Sequence, residues 1–264
     1  MSVTRASFQN RYGPYALVAG GSEGLGAAYA EAIARRGVNL VLLARREEQL
    51  SATAARVRQA HGVDVITVAA DVVDIDRVGK LVGDLGVDIG LLVFDAVFAP
   101  IGPFEHATEE QLAQAVAVNV RAPLLLTRRL SAPMIARGRG GIVLMSSLAG
   151  SQGSPNIAAY AATKAFNTVL AEGLWKELKP LGVDVLACVA GAIQTPGYQR
   201  AEGSKPAPGT LAPQAVAERA LRALGHGPVV IPGGVNTFGH FVLTRLLSRR
   251  AAIAIMSSNT RSLS

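Results

Sequence analysis

The chain has 264 residues, 50% of them hydrophobic and 17% charged, enough for one large domain with a sizeable core. Its formal net charge is +7, but the Lys and Arg residues are scattered apart from Arg128/Arg129 and the tail, and no aromatic residues interleave with them. Phosphate-bearing small ligands are therefore expected rather than nucleic acid, and the lone Cys188 rules out an internal disulfide and fits a reducing, cytoplasmic setting. The four histidines, His61, His106, His226 and His240, show no metal-ligand spacing, so no metal is expected. Residues 1–11 contain no apolar core of signal-peptide length, and no apolar run is long enough to span a membrane.

Tyr15 to Ala19 is a short apolar strand, followed by Gly20-Gly21-Ser22-Glu23-Gly24-Leu25-Gly26 and a helix over 27–36. Gly37 closes that helix, and 38–43 forms the second strand. This is a βαβ unit with a glycine-rich first turn. Such glycines let the backbone approach a pyrophosphate, and the helix N-terminus favours its charge. Dinucleotide sites often carry an acid after the second strand to hold the ribose; here Ala44-Arg45-Arg46 stands instead. A guanidinium at that place can grip a 2′-phosphate. Arg45 is the expected ligand, with Ser22 as a second contact. Arg46 fits either that role or the plain start of the next helix, 47–59.

The alternation continues with a strand over 63–70 ending at Asp71, a helix over 74–85 and a strand over 89–94. Thr108 is expected to cap one long helix running to about Arg137, with Glu109 and Glu110 in its first turn. A buried strand over 141–145 leads to Ser147, and a helix over 158–179 follows. Next come a strand over 183–189, a loop over 194–213 rich in Gly and Pro, a helix over 213–224 and a last strand over 228–231. Long loops in compact domains often act as lids. There is no internal repeat and no linker, so a single doubly wound α/β domain is predicted.

Tyr160 and Lys164 are four apart on a helix and share a face. A common surface pair is the plain alternative. The chemical reading is that the ammonium lowers the phenol's pKa from about 10, so that Tyr160 can exchange a proton with an alcohol or ketone oxygen. Ser147, at the carboxyl end of its strand, could hold that oxygen.

With these residues in place, the chain resembles the short-chain dehydrogenase/reductase family over nearly its whole length. Gly20, Gly24 and Gly26 match the TGxxxGxG turn, and Asp71-Val72 matches the acidic residue that contacts adenine. Asn119 in Val118-Asn119-Val120 matches the helix asparagine, Ser147 the serine, Tyr160 and Lys164 the YxxxK pair, and Gly191 and Thr195 the PGxxxT segment at the nicotinamide amide. The resemblance implies a Rossmann-type fold with a seven-stranded, mainly parallel sheet in the order 3-2-1-4-5-6-7. It implies a catalytic set of Asn119, Ser147, Tyr160 and Lys164, in which the asparagine holds a water and the lysine bonds the nicotinamide ribose. The cofactor set becomes Gly20, Ser22, Gly24, Leu25, Gly26, Arg45, Asp71, Val72, Asn119, Tyr160, Lys164, Gly191, Ile193 and Thr195. The stretch from Tyr12 to Arg45 is most similar to the 3-oxoacyl-CoA reductase and 17β-hydroxysteroid dehydrogenase branch. Family members assemble through the two long helices, which implies a homodimer or homotetramer.

Three departures stand out: Ala19 for threonine, Ala190 for proline, and Phe94-Asp95-Ala96-Val97 for NNAG. The expected activity is an NADP(H)-dependent exchange of hydride with the carbonyl or secondary alcohol of an apolar substrate, in a pocket of Leu148, Ile157, Ala192, Ile193 and Tyr198. The alternative, motivated by the altered NNAG, is a non-catalytic NADP(H)-binding protein. The apolar, arginine-bearing tail over 236–262 is expected to pack on the substrate loop or on another subunit, in preference to a membrane surface.

Overall fold

A computed structural model describes residues 5–195 and 209–260. Seven strands form one sheet in the order β3-β2-β1-β4-β5-β6-β7, and every pairing is parallel. The strands are β1 (Tyr15–Ala19), β2 (Asn39–Ala44), β3 (Val65–Ala69), β4 (Ile89–Phe94), β5 (Gly140–Ser147), β6 (Val183–Ala190) and β7 (Val229–Val230). A parallel sheet must be covered on both faces, so its strands are apolar throughout. Successive side chains point to opposite faces and divide the core in two. Val18, Leu40, Val93, Val143 and Leu186 face α1 (Arg5–Tyr12), α2 (Gly24–Arg35), α3 (Glu47–His61) and α8 (Pro213–Ala223). Leu17, Val41, Leu92, Ile142 and Val185 face α4 (Ile75–Asp84), α6 (Ala122–Ala136) and α7 (Ala158–Leu178).

The strand order reverses between β1 and β4, and at such a point the carboxyl ends splay into a crevice. β5 runs two residues beyond the predicted strand, which places Ser147 as its last residue at the rim of that crevice. α2 begins at Gly24, three residues before the predicted start, so two of the turn glycines lie in its first helical turn.

The helix expected over 108–137 is not continuous. Thr108 does cap it, through a reciprocal capping box with Gln111. After α5 (Glu109–Val116), however, comes a five-residue π turn, Ala117–Arg121, before α6. Pro123 explains the break. It has no N–H to give the carbonyl four residues back, and that carbonyl belongs to Asn119. The freed oxygen accepts a hydrogen bond from Asn167 Nδ2 at 3.1 Å.

The tail forms α9 (Gly234–Phe241), a π turn over Val242–Leu246 and α10 (Arg249–Thr260). Helix α1 has no counterpart in the sequence reading.

Candidate active site

The glycine turn is shaped by contact. A Cβ on Gly26 would lie 2.1 Å from the carbonyl oxygen of Gly20, and one on Gly20 would lie 2.7 Å from the backbone nitrogen of Ala96. Gly20 and Gly24 also have positive φ, +94° and +57°. The backbone of this turn is thus pressed against the ends of β1 and β4. Helix α2 starts behind it with no side-chain cap and no acid in its first turn, an arrangement that suits a bound anion. Ser22 is buried, and its carbonyl accepts from Thr53 Oγ1 at 2.9 Å, which ties the turn to α3. Leu25 is buried beneath the helix start.

The two arginines after β2 differ. Arg46 is paired with Glu23 of the glycine turn at 2.6 Å. Arg45 is two-thirds exposed and reaches only to 3.8 Å from Asp71. The Asp71 carboxylate also accepts the N–H of Val73, and Val72 is buried beside it. Arg45 is therefore the guanidinium at hand for a 2′-phosphate, while Arg46 is occupied with a carboxylate. The glycine cradle, the uncapped helix start and Arg45 together fit a phosphorylated dinucleotide.

Asn119 lies in the π turn and is 1% exposed. Its side chain accepts from the N–H of Phe98 at 2.9 Å and donates to the carbonyl of Phe98 at 2.7 Å and to Thr163 Oγ1 at 3.0 Å. The amide is thus a brace between the segment after β4 and helix α7. A carbonyl oxygen has two lone pairs, so the Asn119 carbonyl can take a water besides Asn167.

Ser147 Oγ accepts from Ala149 N–H at 3.2 Å, and Ser147 lies near enough to Tyr160 to oppose the rise in its pKa. Lys164 is buried, with its Nζ 2.9 Å from the carbonyl of Met145 and 5.7 Å from the centroid of the Tyr160 ring. Ser147, Tyr160 and Lys164 are thus brought together at the end of β5. Burial raises Tyr160 above its ordinary pKa, partly offset by Ser147, with Asp95 adding to the rise. The expected lowering by Lys164 does not appear in this arrangement: the ammonium is turned to a backbone carbonyl. Burial lowers Lys164 to about 8, against an opposing pull from Asp95.

Residues missed in the sequence hold this group in place. Ser146 Oγ donates to the Lys164 carbonyl at 2.7 Å, Thr168 Oγ1 donates to Ser146 Oγ at 2.7 Å, and Thr163 Oγ1 donates to the Tyr160 carbonyl at 2.7 Å. Their signal was available: Thr163, Asn167 and Thr168 follow Tyr160 and Lys164 at helical spacing, as polar residues where an ordinary core helix would be apolar.

On the far side of the crevice, Gly191 follows β6. A Cβ there would lie 2.8 Å from the side chain of Asn236, which donates to the carbonyls of Gly209 and Pro232 at 3.1 and 3.0 Å. Ile193 bridges Leu211 in parallel, and the N–H of Leu211 reaches the Ala192 carbonyl at 3.0 Å. These contacts pin both ends of the loop over 194–213. Thr195 lies at its start; Tyr198 lies outside the described residues. The tail returns to the segment before Tyr160. His240 meets Ser151 at 3.1 Å, Arg249 donates to the Ser151 carbonyl at 2.8 Å, and Asn156 donates to the Thr260 carbonyl at 3.1 Å.

Fold and site together define a doubly wound dinucleotide-binding enzyme, with a serine, a tyrosine and a lysine grouped beside the switch point. A family model for the short chain dehydrogenases matches residues 14–205. The chain belongs to that family and is an oxidoreductase that uses a nicotinamide cofactor. A solved 7beta-hydroxysteroid dehydrogenase superposes with a TM-score of 0.88 at 28% identity, covering 94% of this chain and 98% of that one. A short-chain dehydrogenase from Sphingobium yanoikuyae, solved in complex with NADPH, gives a TM-score of 0.76 at 33% identity, covering 83% of this chain and 87% of that one. The very-long-chain 3-oxoacyl-CoA reductase of Laccaria bicolor is 33% identical over 183 residues, 67% of this chain. The match spans about half of that reductase, 54% of its length. Among the described residues no helix is long and apolar enough to cross a membrane.

Proposed function

We propose that the chain is an NADP(H)-dependent oxidoreductase that interconverts a carbonyl and a secondary alcohol on an apolar substrate, in the cytoplasm. Asn119, Ser147, Tyr160 and Lys164 form the catalytic set. The observation that carries this reading is their convergence at the end of β5, beside a glycine turn fitted to a pyrophosphate and an arginine placed for a 2′-phosphate. The bound nicotinamide supplies the hydride. In the reducing direction Tyr160 gives its proton to the substrate oxygen and Ser147 stabilises the charge developing there. Lys164 holds the ribose, and Asn119 fixes the helix that carries Tyr160 and offers the second lone pair of its backbone carbonyl to a water. Gly20, Ser22, Gly24, Leu25, Gly26, Asp71 and Val72 bind the adenosine and phosphate end; Gly191, Ile193 and Thr195 bind the amide end.

One domain does this work, with the loop over 194–213 and the helical tail over 236–262 forming the substrate side. The relatives named for steroid and 3-oxoacyl substrates support an apolar pocket, as do the apolar side chains of Leu148, Ile157 and Ala192. The contacts of α10 with Ser151 and Asn156 favour packing on the site over a membrane role for the tail. Exposed Val116 of α5, Leu124 of α6 and Val169 of α7 support a homo-oligomer. NADPH oxidation, screened over bulky ketones, steroids and 3-oxoacyl thioesters, tests the reading. Turnover of at least one class is expected. NADPH binding without turnover across the panel would instead favour the non-catalytic binding protein.

A further inference from the structure

Helix α9 is amphipathic in an inverted sense. Its polar side chains turn inward: Asn236 is buried and donates to the Gly209 and Pro232 carbonyls, and His240 meets Ser151 at 3.1 Å. Its large apolar side chains turn outward. Val235 is 67% exposed, Phe238 70% and Phe241 51%, and Leu246 at the end of the π turn is 64% exposed. Val235, Phe238 and Phe241 follow one another at three-residue steps, which keeps them on one side of the helix, and Arg245 comes four residues after Phe241. Arg245, Arg249 and Arg250 are exposed as well. The charge of the chain is equally one-sided. After Glu218 it carries six arginines and no acid, and these supply six of the seven net positive charges. The site holds α10 and not this face: Ala252 is buried, Arg249 donates to the Ser151 carbonyl at 2.8 Å, and Asn156 to the Thr260 carbonyl at 3.1 Å. That hold keeps the tail as a whole from lying in a bilayer, but it leaves the outer face of α9 and the π turn uncovered by the described residues.

We propose that this face docks on an anionic phospholipid bilayer, with Phe238 and Phe241 at the acyl boundary and the arginines among the phosphates. Contiguous bulky apolar side chains left in water mark interaction sites. Helices that lie on membranes join such a face to arginine or lysine at its edge. Each guanidinium near the bilayer is drawn by its negative surface potential. A second copy of the chain fits the face less well: a two-fold contact sets the same patch on both sides, and arginine would then oppose arginine. The charge is spread along the tail rather than gathered at a pocket, as suits an extended anionic plane. Because His240 and Arg249 join the same tail to Ser151, the docked face lies on the substrate side. An apolar substrate dissolved in the bilayer then has a short path to the site. That consequence rests on the proposed function; the docking itself does not.

The test is flotation of the full chain with vesicles of phosphatidylcholine alone, and of phosphatidylcholine mixed two to one with phosphatidylserine. Binding is expected on the mixed vesicles, with little on the neutral ones, and should weaken as salt is raised. Phe238→Ser combined with Phe241→Ser should reduce it by at least about tenfold. Arg245→Gln combined with Arg250→Gln should reduce it by about ten- to thirtyfold. All four side chains are exposed, so both variants should keep the wild-type thermal unfolding and NADPH affinity, which separates loss of docking from loss of fold. No binding to the mixed vesicles, or binding undiminished in the phenylalanine variant, would overturn the proposal. A mass by light scattering that falls by half in the phenylalanine variant would also overturn it, because a second copy would then cover the face. Docking without turnover of any substrate would sink the proposed function and leave this surface standing; turnover without docking would do the reverse.

Discussion

Two aspartates sit at opposite ends of the same sheet, and chemistry has been arranged around them in opposite ways. Asp184, near the amino end of β6, has no exposed surface. It receives Arg11 Nε at 2.5 Å, the hydroxyl of Tyr12 at 2.8 Å and Lys179 Nζ at 2.7 Å. Burial alone would raise its pKa, but these three donors more than offset it and hold the carboxyl below its ordinary value. Among the described residues no comparable set of donors surrounds Asp95, at the carboxyl end, and burial raises its pKa, with Lys164 opposing. A fully satisfied carboxylate welds elements together. An incompletely satisfied one stays sensitive to what its neighbours do, and such groups collect at functional sites. The amino end of the sheet is built for stability, and the carboxyl end carries the residues proposed for proton transfer.

The strongest way to break that contrast is Asp184→Asn. Removing the anion leaves Arg11 and Lys179 without their partner and should destabilise the fold by about 2–4 kcal/mol, discounted for their partial exposure. Urea unfolding would measure it, and cofactor affinity of the folded fraction should not change. Because the Asp184 pKa is lowered by folding, its contribution is present above the unfolded value of about 3.9 and lost as pH falls through the folded one. The wild-type stability should thus drop steeply below about pH 4, and the variant should lack that component.

At the other end, Arg45→Ala should remove a charged hydrogen bond of about 1.5–3 kcal/mol. That is roughly a ten- to hundredfold loss of NADPH affinity, with NADH nearly unchanged. Isothermal titration with both cofactors checks it; equal losses, or a wild-type preference for NADH, would remove Arg45 from the site. The smallest effect belongs to Tyr12→Phe, which takes one of three donors from Asp184. It should cost about 1 kcal/mol in the same urea assay and nothing in cofactor binding.

How much of this was legible depended on range. The strands announce themselves as apolar runs because a parallel sheet is covered twice. Ser147, Tyr160 and Lys164 lie within eighteen residues at telling spacing, and Asn119 is carried by its motif. Helix α1 was invisible because its sequence is polar and its helicity is tertiary. Only Phe8 and Tyr12, four apart, are buried, with ring centroids 4.8 Å from one another. The π turn could have been suspected from Pro123, but the partner of the freed carbonyl, Asn167, is 48 residues away from Asn119. The same holds for Asn236 beneath Gly191, and for the three donors around Asp184, which arrive from different parts of the chain.

Proton transfer by the carboxyl-end group is the step on which the proposed function depends. It is tested most directly by Tyr160→Phe, which keeps the ring and removes only the hydroxyl. NADPH titration and steady-state kinetics on the same preparation should show unchanged cofactor affinity, with turnover reduced by about 10²–10⁴-fold. Turnover retained at the wild-type level, with NADPH bound as tightly, would contradict the account.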